Sequence, residues 1–97
     1  MQKVRAHVII EGIVQGVFFR ANTVEAAKRH NVYGWVRNRP EGTVEAVIEG
    51  DEDAVKKIIE WCHTGPPGAR VDRVNVRWEE FKDEFDEFMA LTRHNSY

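Results

Sequence analysis

Val4, Ala6, Val8 and Ile10 alternate with Arg5, His7 and Glu11, the period-two pattern of a strand with one buried face. Residues 12–19 break that alternation and predict a loop. From Ala21 the spacing turns helical. Ala21, Val24 and Ala27 share a face, Asn22 and Glu25 have the spacing of a capping box, and Lys28, Arg29 and His30 bring positive charge to the last turn before Asn31, a left-handed stop. Residues 32–38 predict a second strand. Arg39-Pro40-Glu41-Gly42 is a turn signal, and 43–49 returns as a third strand with Val44, Ala46 and Ile48 inward, so the two make a hairpin. Asp51 as cap, with Glu52 and Asp53 in the first turn, opens a second helix. Its apolar stripe is Val55, Ile58, Ile59 and Cys62, and Thr64-Gly65-Pro66-Pro67-Gly68 ends it. Val74, Val76 and Trp78 alternate with Arg73, Asn75 and Arg77 as a fourth strand.

The tail reads two ways. Phe81, Phe85, Phe88 and Met89 fit helical spacing, whereas residues 88–92 also alternate as a fifth strand. The pattern leans to the helix, because residues 82–87 are rich in types that disfavour strands. The order is otherwise β-α-β-β-α-β, the split arrangement called ferredoxin-like. The expected class is α+β, with two helices packed on one face of an antiparallel (mixed) sheet. Many activities use this arrangement, so it assigns none.

Ninety-seven residues suit one domain spanning 1–97. The net charge of −2 argues against a general nucleic-acid binder, which is usually basic. One cysteine excludes an internal disulfide and fits a reducing compartment. The start, Met1-Gln2-Lys3-Val4-Arg5, lacks the apolar core of a signal peptide, and no run approaches a membrane span. A cytoplasmic monomer is the expectation, with no membrane partner.

The candidate chemistry lies where the first strand meets the first helix. Gly16 lets the chain bend and approach a ligand closely. The N–H groups of Gln15, Gly16, Val17, Phe18 and Phe19 can converge on one anion, helped by the positive helix end. Arg20 adds a planar fork of donors that fits two phosphoryl oxygens. Phosphate or sulfate would suit such a loop. Asn38, at the end of the second strand, cannot act as a base, but its carboxamide can orient a water. Neither segment carries a His or Cys nucleophile or a cluster of metal-binding carboxylates. The substrate must therefore need little help with its leaving group. An acyl phosphate meets that condition; a phosphate monoester does not.

The run Gly12-Ile13-Val14-Gln15-Gly16-Val17-Phe18-Phe19-Arg20, with Gly34-Trp35-Val36-Arg37-Asn38 and Gly42-Thr43-Val44 following, resembles the acylphosphatase family over residues 4–93. The resemblance implies hydrolysis of acyl phosphates without cofactor or metal. It implies that Arg20 and the loop amides of 15–19 bind the phosphoryl group and that Asn38 holds the attacking water. The substrate's own phosphate takes the proton in that family. The resemblance also favours Phe88-Met89-Ala90-Leu91 as a closing fifth strand, against the helical spacing.

The remaining conspicuous residues have plainer readings. Cys62 belongs to an apolar stripe and is expected in the core. His7, His30, His63 and His94 have no ligand spacing. Trp35 and Trp78 read as packing residues, Arg37 and the acidic stretch 79–87 as solvated charge. Arg39 stands as a candidate at the substrate rim, and Thr43 as a hydrogen-bond partner near Asn38 across the hairpin. Two alternatives compete with the enzyme. One is the acylphosphatase-like module of a larger hydrogenase-maturation carbamoyltransferase, whose cysteine clusters are missing here. The other is a non-catalytic ferredoxin-like binding module for an anionic ligand or partner. Its RNA-binding form would carry an aromatic signature that residues 4–10 and 44–48 lack.

Overall fold

The computed structural model describes residues 2–92; what the sequence suggests for Met1, Arg93 and His94 lies outside them. The elements follow as β1 (Lys3–Ile13), α1 (Phe19–His30), β2 (Tyr33–Asn38), β3 (Val44–Asp51), α2 (Glu52–Thr64), β4 (Arg70–Glu79) and β5 (Phe88–Leu91). The strands form one sheet in the order β4-β1-β3-β2-β5. β1 pairs antiparallel with β3 and β4, β2 antiparallel with β3, and β5 parallel with β2. Both helices pack on the face that carries Ala6, Val8, Ile10, Val44, Ala46 and Ile48, all fully buried. No helix among the described residues is long and apolar enough to cross a membrane.

The alternation in β1, the hairpin and the stripe on α2 are as expected. Val55, Ile58, Ile59 and Cys62 are buried, and burial pushes the Cys62 thiol up to about 12. β1 runs on to Ile13, past a register shift at Glu11/Gly12. Gly12 is required there: at φ 134° an added Cβ would fall 2.1 Å from the Arg70 carbonyl oxygen.

The start of α1 differs from the expectation in two ways. It begins at Phe19, and Phe18 caps it in the left-handed conformation with no side-chain cap. Asn22 therefore sits inside the helix, where its Nδ2 donates to the Phe18 carbonyl at 2.9 Å, and the capping box does not form. The buried face is Phe19, Thr23, Ala26 and Ala27, while Ala21 is exposed and Val24 half-buried. Thr23 escaped the apolar pattern because its hydroxyl donates to the Phe19 carbonyl at 2.8 Å, which lets a polar residue go inward. Asn31 ends α1 at φ 55°, as expected. Asp51 occupies the cap position of α2, yet its carboxylate pairs with Lys3 at 2.8 Å instead of capping.

The face of the sheet away from the helices is not simply solvated. Arg5 is buried, with Nη1 3.1 Å from Glu49, Nε 3.0 Å from Glu79, and Nη1 2.6 Å from Glu84. Glu49 also accepts the main-chain N–H groups of Lys82, at 2.8 Å, and Glu84, at 3.2 Å. The acidic stretch is thus partly a strap over buried charge. Removing one partner of such a pair strands the other, at about 3–5 kcal/mol. Phe85 packs on a cluster of Trp35, Val47 and Leu91, whereas Phe88 enters the core under the helices. Residues divided between two faces of a sheet need period two, which is why the tail is a strand despite its helical spacing.

A second group on this face joins Glu45 to His7 Nε2 at 2.6 Å and to Arg37 Nε at 2.7 Å. Arg37 is paired, contrary to the solvated reading. Burial pushes the Glu45 carboxyl up, but the bonds from His7 and Arg37 outweigh it and hold it below the usual range. The bond from Arg5 does the same for Glu79. A depressed carboxyl stabilises the fold above the unfolded pKa of about 4.3, and that contribution fades as pH falls through the native pKa. Glu45→Gln should therefore lower the urea midpoint at neutral pH, with the gap to the parent narrowing below pH about 4. A gap that stays constant with pH rules out this role for Glu45.

Candidate active site

The segment between β1 and α1 is shaped by two positive φ angles in three residues, 75° at Gly16 and 63° at Phe18. A Cβ added at Gly16 meets nothing within 4 Å, so the glycine answers to its dihedral and to the open space beside it, not to crowding. The first helical hydrogen bond runs from the Asn22 N–H to the Phe18 carbonyl at 3.1 Å. The N–H groups of Phe19, Arg20 and Ala21 therefore have no acceptor inside the helix. The first turn of α1 holds no acidic residue, unlike that of α2, which has Glu52 and Asp53. The positive end of α1 is left without a negative neighbour of its own.

The loop is tied to the hairpin by Gln15. Its Nε2 donates to the carbonyls of Arg39, at 2.8 Å, and Thr43, at 2.9 Å. Arg20, in the first turn, donates from Nη1 to the Leu91 carbonyl at 3.0 Å. That bond uses one of five donors and fixes the guanidinium against β5. Among the described residues no carboxylate pairs with Arg20, whereas Arg5 holds three and Arg37 holds one.

These elements surround a hollow of about 380 Å³. Gly16, Phe18, Phe19 and Arg20 come from the loop and helix start, Asn38 from the end of β2, and Ala90 and Thr92 from the tail, with Val14 and Ala21 completing the wall. The two sequence segments singled out for chemistry thus meet in one place. Among the described residues that line it, none is a carboxylate, His, Cys or Lys. Among the described residues no cluster of His, Cys, Asp or Glu could hold a metal ion.

Three expectations need adjustment. Gln15 and Val17 do not line the hollow: Gln15 tethers the loop, and Val17 packs half-buried against the core. The Phe19 ring is buried against Trp61, 5.3 Å between centroids, so its contribution is chiefly its main-chain N–H. Arg39 pairs with Glu41 at 2.9 Å, and Thr43 Oγ1 donates to the same carboxylate at 3.2 Å, not to Asn38. Sequence reasoning missed the Leu91 carbonyl and the Gln15 tether. The first is a main-chain acceptor from the ambiguous tail. The second bonds two hairpin carbonyls, for which Gln15's side-chain type gives no cue.

The family model described as acylphosphatase matches residues 6–90. The acylphosphatase of Pyrobaculum arsenaticum is 61% identical over 92 residues, covering 94% of this chain and 97% of that protein. The structure of an acylphosphatase from Coxiella burnetii superposes with a TM-score of 0.87 at 36% identity, over 92% of this chain and 93% of that one. Full-length HypF, in a phosphate- and nucleotide-bound form, matches 94% of this chain with only 12% of its own, at a TM-score of 0.81 and 27% identity.

The tether makes its own prediction. Gln15→Ala removes two side-chain bonds, while the Arg39 carbonyl keeps the Gly42 N–H and the Thr43 carbonyl keeps the Arg39 N–H, and should cost about 1 kcal/mol in chemical denaturation. Gln15→Glu, which cannot donate, should do at least as much harm. An alanine variant as stable as the parent would show that the loop holds its place without Gln15.

Proposed function

The chain belongs to the acylphosphatase family, and we propose from that premise a division of labour among Arg20, Asn38 and the loop from Gln15 to Phe19. The protein hydrolyses the carboxyl–phosphate bond of acyl phosphates to a carboxylate and inorganic phosphate. Arg20 and the main-chain amides of Gly16, Phe18 and Phe19 grip the phosphoryl group, with Gln15 and Val17 holding the loop in place. The amide of Asn38 orients a water at the hollow. Its oxygen attacks phosphorus, the bond from phosphorus to the acyl oxygen breaks, and the carboxylate leaves with the electron pair. The water's proton goes to a phosphoryl oxygen of the substrate.

The observation that carries this reading is the inventory of the hollow among the described residues: one guanidinium, one carboxamide and one hydroxyl, with no carboxylate, imidazole, amine or thiol. Such a set can bind and position but cannot protonate a leaving group. Positioning and electrostatic stabilisation supply most of the catalysis in phosphoryl transfer. The same cradle takes free phosphate or sulfate. A single domain, acting as a monomer in the cytoplasm, carries the whole site; the lone buried cysteine suits a reducing setting.

The test is phosphate release from benzoyl phosphate beside a phosphate monoester. The anhydride should turn over and the monoester should not. A non-catalytic binding module would bind phosphate and release none from either. Arg20→Ala should lower kcat/KM by about a thousandfold and weaken inhibition by inorganic phosphate. Asn38→Ala should lower kcat while leaving phosphate inhibition nearly intact, since it acts on water. Full turnover in the Asn38 variant defeats the water-orienting role.

A further inference from the structure

We propose that Phe18 is a specificity-determining residue: its ring is a platform for the acyl group, selecting acyl phosphates with apolar, flat acyl groups over small ones. The proposal rests on the acylphosphatase reading above and names the substrate class that reading leaves open.

Three observations converge on Phe18. It is 79% exposed, the most exposed of the large apolar side chains among the described residues. It also holds a left-handed conformation, φ 63° and ψ 26°. The other two non-glycine residues at positive φ are Asn31 and Asp83, types whose short polar side chains tolerate it. An aromatic residue gains little there from folding, since its ring is not buried and no ring among the described residues stacks on it. Glycine or asparagine would satisfy the same cap without strain or an exposed ring. A strained position at a ligand site is grounds to look for a role in binding.

The third observation is its place. Phe18 lines the hollow beside Arg20, and the neighbouring wall is apolar, from Val14, Ala21 and Ala90. Among the described residues the polar side chains of the wall are Arg20, Asn38 and Thr92. A substrate with its phosphoryl end on Arg20 must send its acyl end out through the mouth of the hollow. Phe18 lines the hollow and is 79% exposed, which puts its side chain at the solvent side of the site. Covering the ring with an apolar acyl group removes both surfaces from water, and a flat group adds ring-to-ring contact. An acetyl group is too small to cover it.

The experiment compares benzoyl phosphate with acetyl phosphate in the parent, Phe18→Gly and Phe18→Asn. Both replacements suit positive φ, so a folding defect is not expected, and thermal unfolding checks it. The ratio of kcat/KM for benzoyl over acetyl phosphate should fall about tenfold in both variants, mostly through KM. The ratio between two substrates cancels any shared effect of the substitution on the loop. An unchanged ratio overturns the proposal. Phenylphosphonate and methylphosphonate, which are not hydrolysed, give a second reading by calorimetry. The parent should favour the phenyl compound, and the variants should lose that preference. If the parent hydrolyses neither acyl phosphate, the enzymatic reading fails, and the phosphonate preference still decides the role of Phe18.

Discussion

A guanidinium in the first turn of a helix is at odds with the field it sits in. The helix start is already positive, and α2 follows the usual rule by placing Glu52 and Asp53 there. α1 does the reverse, with Arg20 and no acid. The conflict disappears when a tetrahedral anion occupies the same spot, because cation and dipole then both favour it. The surroundings maintain that conflict instead of relieving it. The Leu91 carbonyl holds Arg20 by a neutral acceptor, which restrains the side chain without cancelling its charge. A carboxylate in its place would satisfy the guanidinium and compete with substrate.

Holding this arrangement reaches far into the fold. Leu91 sits on the parallel edge strand β5, which has only β2 as a neighbour. Four residues of strand are a small hold. The segment before it is fastened on the open face by Glu49 accepting two of its N–H groups and by Arg5 pairing with Glu84. The buried ions therefore serve geometry more than net stability, since such pairs rarely repay their desolvation. On the other side of the hollow, Gln15 joins the loop to the hairpin that ends beside Asn38. The loop and the strand end that carries Asn38 are thereby joined by a pair of side-chain bonds.

What the sequence revealed and what it hid follow the range of the forces involved. β1, the hairpin and the stripe of α2 are local patterns, and Val8, Val44 and Ile58 went where period alone sends them. Arg20 stood out because a cation at a helix start is unfavourable locally, whereas Asn38, a common type before a turn, stood out only beside the loop motif and the family resemblance. The start of α1 was misread because Asn22 and Glu25 imitate a capping box, while a loop residue, Phe18, does the capping by its dihedral. The tail's local spacing satisfies a helix, so the expected fifth strand rested on the family resemblance; in the structure partners distant in sequence, Arg5, Trp35 and Glu49, hold it and the segment before it. Arg5 alternates like a surface residue and is buried, since nothing near it in the chain announces Glu49 or Glu84.

The bareness of the hollow also decides what the site can select. A carboxylate leaving group has a proton affinity like that of a side-chain carboxyl, with a pKa of about 4, so it departs unprotonated at neutral pH. An alkoxide from a monoester is far more basic and needs an acid that the wall does not offer. In the proposed division of labour both kinds of substrate present the same phosphoryl end to Arg20 and the loop. The cradle is then blind to the difference when binding, and discrimination falls on the step in which the bond to oxygen breaks. Adding a carboxylic acid to the wall to widen the range of substrates would set a negative charge at neutral pH beside the anion that Arg20 and α1 attract. A site that relies on an unopposed positive corner is confined by that reliance to leaving groups that need no proton.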